Sequence, residues 1–114
     1  VQKKTVFLQQ AILKLGLTNA RVVHSRIEDF PNERFHAVTC RAFATLSKTV
    51  SLTRRLLDDD GVWLLMKGKD PVGEIEALDS DICVEENRKL SVPGTDLVRC
   101  LIVLRVNRTR EISV

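Results

Sequence analysis

Apolar residues recur at helical spacing early in this chain, and later alternate or run together, so helices and strands can be placed from pattern alone. Leu8, Ala11, Ile12 and Leu15 repeat three or four apart among Lys3, Lys4, Gln9, Gln10 and Lys14, and Gly16 follows as a C-terminal cap. This predicts an amphipathic helix with an inward apolar stripe. After the Thr18-Asn19 turn, Ala20 to His24 is expected to form a short strand and Phe35 to Cys40 another. The run Ala37-Val38-Thr39-Cys40 is nearly continuous and suits burial on both faces. Between the two strands, Ser25-Arg26-Ile27-Glu28-Asp29-Phe30-Pro31 is a polar turn.

Leu46, Val50, Thr53 and Leu57 mark the inward stripe of a second helix, capped by Thr45 or Ser47 and carrying Lys48, Arg54 and Arg55 outward. Asp58-Asp59-Asp60-Gly61 is expected to end it, and Val62-Trp63-Leu64-Leu65-Met66 then reads as a central parallel strand. Asp70-Pro71 starts a third, short helix that should stop near Leu78. Ile82 to Val92 and Leu97 to Val106 are strand-like and joined only by Pro93-Gly94-Thr95-Asp96. So short a link makes an antiparallel hairpin, because a parallel crossover needs a dozen or more residues. Val98, Cys100, Ile102, Leu104 and Val106 share one face of the last strand and Leu101 and Val103 the other, which predicts an interior strand covered on both sides. The fold class is α/β, and the terminal hairpin argues against a dinucleotide-binding oxidoreductase sheet, which would continue in parallel.

At 114 residues, 44% apolar and 29% charged, the chain is expected to be one folded domain with a modest core. Cys40, Cys83 and Cys100 each sit in apolar runs with no Cys/His spacing, so they read as small core residues in a reducing compartment, and no metal site is expected. No apolar run approaches the roughly 20 residues that span a bilayer, nor is there a signal-peptide layout, so a cytoplasmic protein with no membrane partner is expected. The formal charge of +3 leans toward anionic partners but decides nothing alone. Four Phe, one Trp and no Tyr disfavour a protein that stacks many single-stranded bases.

Leu17-Thr18-Asn19, Val23-His24-Ser25-Arg26-Ile27-Glu28-Asp29-Phe30, Arg41-Ala42-Phe43-Ala44 and Lys67-Gly68 resemble the bacterial small-subunit ribosomal RNA guanine-N7 methyltransferases, the glucose-inhibited division protein B family. The resemblance implies the C-terminal portion of a single domain, 1–114. That portion is a partial class I (Rossmann-like) methyltransferase sheet that lacks the first two strands and ends in the antiparallel β-hairpin. It implies S-adenosyl-L-methionine as cofactor and 16S ribosomal RNA, or the small ribosomal subunit, as partner, with no DNA. The glycine-rich donor loop of the family has no counterpart among the five dispersed glycines, so the chain alone is expected to be inactive. Without the missing strands, Phe35 to Cys40 gains an open edge through which the chain should self-associate, or its first strand should rearrange.

Carried over by residue, the resemblance implies that Ile27 gives the adenine an apolar surface, while Glu28 or the local backbone serves its exocyclic amine. Arg41 falls at the methyl-donor end of the cleft, facing the cofactor carboxylate, guanine O6 or an RNA phosphate. Lys67 should share its rim, since parallel strands end on a common edge, and would face RNA with Lys69 extending the patch. Outside the resemblance, Ile27-Glu28 is an ordinary turn, Arg41 a surface salt-bridge arginine and Lys67 a solvated lysine. His24 and His36 belong to no constellation and are left out. No residue is assigned a catalytic role as such, because guanine N7 offers a lone pair and carries no proton, so methyl transfer needs alignment rather than a general base. The rival function is a non-catalytic α/β module that binds RNA or a protein through a basic rim.

Overall fold

Gly16 stops the first helix, α1 (Gln2–Leu15), by taking φ +65°, a conformation that costs little only without a Cβ. Its N–H bonds to Leu13 O at 3.2 Å and Leu17 N–H to Ile12 O at 3.1 Å, the paired bonds of a Schellman stop. This is a computed structural model that describes residues 2–41, 44–68, 71–91, 93–95 and 98–107. The chain divides into two compact units, 1–31 and 32–114.

In the first unit the helix is as expected, but its stripe is not buried. Ala11 and Ile12 are half-buried, whereas Phe7, Leu8 and Leu15 are exposed, Leu15 at 71%. Among the described residues, irregular chain and one short 3₁₀ turn are all else the unit contains, too little to cover a helix face. The expected strand at Ala20 to His24 is not formed. These residues join no ladder, and an extended segment becomes a strand only when a neighbour takes its N–H and C=O groups. The polar turn that follows is a single 3₁₀ turn, Ile27–Asp29.

The second unit holds β1 (Phe35–Arg41), α2 (Leu46–Thr53), β2 (Leu57–Lys67), α3 (Val72–Glu76), β3 (Ile82–Ser91) and β4 (Val98–Val106). Their four-stranded sheet has the order β1-β2-β4-β3, with β1 parallel to β2 and both contacts of β4 antiparallel. The hairpin and the interior position of β4 are therefore as expected. Cys100, Ile102 and Leu104 on one face of β4 are fully buried, while Leu101 and Val103 on the other are only half-buried.

Leu46 and Val50 of α2 close one face of the sheet over Leu57, Trp63, Leu65, Ile82, Cys100, Ile102 and Leu104, with Ile75 and Leu78 packed against them. Two hydroxyls lie inside this apolar interface: Thr49 Oγ1 donates to Thr45 O at 2.9 Å and Thr53 Oγ1 to Thr49 O at 2.7 Å. Thr53 Oγ1 in turn accepts from Trp63 Nε1 at 2.9 Å, so the buried indole N–H has a partner. Cys100 belongs to the core and Cys40 is half-buried, but Cys83 is exposed, contrary to its expected core position. It lies on β3, an edge strand, where alternate residues face outward.

The expectation of burial on both faces also fails at β1. Val38 and Cys40 are half-buried, and Ala37, Thr39 and Arg41 are exposed, because β1 is an edge strand covered on one face. Leu57 and the acidic run Asp58-Asp59-Asp60 do not end the helix; they belong to β2. A 3₁₀ turn, Arg54–Leu56, ends it instead. The acidic run is accommodated as a bulge where the register slips between Phe35↔Leu57 and Ala37↔Val62. Arg34 Nη1 donates to Leu57 O at 2.9 Å and Arg105 Nη1 to Asp60 O at 2.8 Å, which occupies carbonyls the distorted ladder leaves over.

Gly61 closes the bulge, and a Cβ there would lie 2.5 Å from Leu57 Cγ and 3.0 Å from Asp58 O. Leu57 is 3% exposed and cannot swing aside. Gly61→Ala is accordingly expected to destabilise the unit by about 1–3 kcal/mol through overpacking. Urea unfolding checks this, and an unchanged midpoint would mean that the bulge opens freely.

Candidate functional site

Parallel strands that end together put the residues after them on one rim, and β1 and β2 do so here. Arg41 is paired with Met66, one residue before Lys67. The pleat then separates the two cations. Trp63, Leu65 and Lys67 alternate onto the face covered by α2, and Cys40, opposite Leu65, shares it. Arg41 pairs with Met66 and follows Thr39, so it stands with the exposed residues of the opposite face. They share a rim but not a face.

Lys67 is drawn into a network rather than left to solvent. Its Nζ donates to Ala44 O at 2.9 Å and lies 3.0 Å from Glu74 Oε1, with the lysine side chain 12% exposed and the glutamate 32%. The same Oε1 accepts from Leu46 N–H at 2.9 Å, one of the donors a helix leaves unpaired at its amino end. Thr45, one of the two expected caps, accepts from Lys48 N–H through Oγ1 at 3.2 Å. Glu74 thus acts from α3 as a second cap on α2 and as the counter-ion of Lys67. On the same face burial pushes the Cys40 thiol up from its ordinary value, and the charge of Lys67 works against that shift without cancelling it. A thiol so raised stays protonated at neutral pH and makes a poor nucleophile.

In the first unit, Ile27 opens the 3₁₀ turn half-buried and Glu28 follows it exposed. Asp29 N–H bonds to Arg26 O at 3.0 Å and Phe30 N–H to Ile27 O at 3.2 Å, which holds the turn. An aliphatic surface beside a carboxylate is what a purine with an exocyclic amine can use. Ala42, Phe43, Lys69, Asp70, Val92, Asp96 and Leu97 lie outside the described residues.

Glu74 went unseen in the sequence. A carboxylate in the first turn of a short helix ordinarily signals only the helix dipole, and nothing local ties Glu74 to a strand end or to another helix. The opposite end of the sheet carries basic side chains too, but there they meet carboxylates: Arg34 lies 3.7 Å from Asp59, His36 Nδ1 3.0 Å from Asp58, and Arg54 pairs with Asp81. Among the described residues, no helix is long and apolar enough to cross a membrane.

The family model for rRNA small subunit methyltransferase G matches residues 1–102. The ribosomal RNA small subunit methyltransferase G of Neisseria meningitidis serogroup C is 50% identical over 103 residues, which are 90% of this chain and 50% of that protein. The protein of the same name from an Acidovorax species is 45% identical over 92% of this chain and 46% of its own length. The chain therefore spans about half the length of these relatives. Among solved structures, TrmN from Thermus thermophilus superposes with a TM-score of 0.68 at 17% identity, over 93% of this chain and 34% of that one. The Bacillus subtilis M1A22 tRNA methyltransferase TrmK superposes with 0.64 at 12% identity, over 93% and 47%. These likenesses establish the four-stranded sheet as part of a class I methyltransferase fold.

Proposed function

We propose, because this chain belongs to the rRNA small subunit methyltransferase G family, that it forms one wall of an enzyme that transfers a methyl group from S-adenosyl-L-methionine to N7 of a guanine in 16S ribosomal RNA. The observation that carries the proposal is the family match over residues 1–102, which includes both the Ile27–Asp29 turn and the carboxyl ends of β1 and β2. Open α/β sheets take their ligands at such strand ends.

S-adenosylmethionine, when bound, supplies the electrophilic sulfonium methyl group. In the proposal Ile27 lies against the adenine and Glu28 accepts from its exocyclic amine, a role that a half-buried aliphatic beside an exposed carboxylate can fill. Arg41 aligns the target by holding guanine O6, an RNA phosphate or the cofactor carboxylate. It does not fork onto O6 and N7 together, since that would occupy the nucleophile. No base is needed, and Cys40, kept protonated by burial, is not asked to attack. Lys67 is desolvated and paired, which suits support of the rim better than contact with phosphate. Work on ribosomal RNA implies a cytoplasmic location.

By itself the 114-residue chain is expected to stay inactive, as its dispersed glycines form no donor loop. The position of β1 at the edge of the described sheet supports its self-association. The test is methyl transfer to small ribosomal subunits by the protein at its full encoded length and by the 114-residue chain. Borohydride and aniline cleavage locates any N7-methylguanine, and sedimentation velocity follows both samples. Cleavage at one guanine with the full-length protein alone is expected. Methylation at another base atom, or none despite cofactor binding, would overturn the assignment.

A further inference from the structure

We propose that Lys67 and Glu74 are positioning residues, a latch that fastens Ala44 and the start of α2 to the carboxyl end of β2, where Arg41 is paired, and so keeps that end of the sheet, Arg41 included, in place. The proposal rests on the methyltransferase reading above for its consequence, though not for its geometry. Consecutive residues of β2 hold two described residues near its end: Met66 pairs with Arg41 in the ladder, and Lys67 Nζ donates to Ala44 O at 2.9 Å, close to the start of α2.

Glu74 fastens the start of α2. One oxygen, Oε1, receives both Lys67 Nζ at 3.0 Å and Leu46 N–H at 2.9 Å, so the ion pair and the start of α2 form a single unit. Thr49 N–H to Thr45 O at 2.9 Å and Thr45 Oγ1 to Lys48 N–H complete the first turn of α2. With its side chain 12% exposed, Lys67 has exchanged hydration for these two acceptors, and its attraction to Glu74 is stronger than that of a surface pair. A lysine serving RNA phosphate would instead keep its ammonium in water until the RNA arrives. An arginine at the end of an edge strand has no such intrinsic rigidity, and alignment chemistry is sensitive to displacements of about 1 Å.

The test uses the protein at its full encoded length with Lys67→Met, Glu74→Ala, Glu74→Gln and the double variant Lys67→Met/Glu74→Ala. Both the Met and the Ala variant are expected to lower kcat roughly ten- to a hundredfold, with the KM for ribosomal subunits nearly unchanged. Glu74→Gln keeps the shared oxygen and should retain most of the rate, and the double variant should be no worse than the worse single one. A raised KM with a salt slope of RNA binding reduced by about 1 in Lys67→Met would make Lys67 a phosphate ligand and overturn the proposal. So would a loss that merely tracks the unfolded fraction and vanishes on cooling. Hydrogen exchange supplies a readout independent of activity: the Leu46 amide in Glu74→Ala should exchange at least about tenfold faster while Ile102 and Leu104 stay protected. If the unaltered protein methylates no ribosomal RNA, the family function fails, yet unchanged exchange at Leu46 would still refute the latch.

Discussion

Trp63→Ala is expected to remove about 3–5 kcal/mol of stability, against about 5–15 kcal/mol for a typical domain, and so to leave the second unit marginal or unfolded. Trp63 is fully buried at the centre of the sheet, opposite Leu104 on β4 and Val38 on β1, and under α2. Its removal empties the largest volume in the core and withdraws the hydrogen bond to Thr53 Oγ1. Trp63→Phe should cost less, about 1–3 kcal/mol, since most of the volume is kept and Thr53 still donates to Thr49 O. Urea unfolding followed by circular dichroism measures both. In the unaltered chain Trp63 is the only tryptophan, so its fluorescence reports the same transition. A loss below 1 kcal/mol for the alanine variant would mean that α2 collapses into the gap.

Arg41→Ala is expected to lower methyl transfer by the full-length protein roughly ten- to a hundredfold, the worth of one charge-assisted hydrogen bond in the transition state. Its cost in stability should stay within about 0.5 kcal/mol, because Arg41 is exposed at the end of an edge strand and contributes nothing to the core. Steady-state kinetics and thermal unfolding on one preparation separate the two effects. Equal losses of rate and stability would remove the functional assignment of Arg41. The kinetic constants also identify its partner: a rise in the KM for RNA with a flatter salt dependence points to phosphate, and a fall in kcat alone points to the reacting guanine. Arg41→Lys should rescue a phosphate contact better than a planar, forked one.

Much of the second unit was legible locally. Thr45 before the stripe of Leu46, Val50 and Thr53 announced a capped helix, and the four residues 93–96 could join Ile82–Val92 to Leu97–Val106 only as a hairpin. Gly16 marked the stop of α1 because the Schellman bonds involve only nearby residues. The misreadings share one cause. Ala20–His24 has the composition of a strand but joins no ladder of the described sheet. Asp58–Asp60 looked like a break until Arg34 and Arg105, both distant in sequence, filled carbonyls of the bulge.

Local periodicity and short-range hydrogen bonds allowed the chain by itself to determine the existence and order of its helices, the antiparallel hairpin, the terminal Arg41 of β1 and the residues that mark its family. Only the tertiary structure decided which side chains meet. Arg41 and Lys67 looked like a pair because parallel strands end on one rim, but the register puts them on opposite faces. Lys67, which the sequence offers as a cation facing RNA, meets Glu74, seven residues later and on another element. Pairing register and burial depend on residues far apart in the chain, and whether a charge is free or held depends on both.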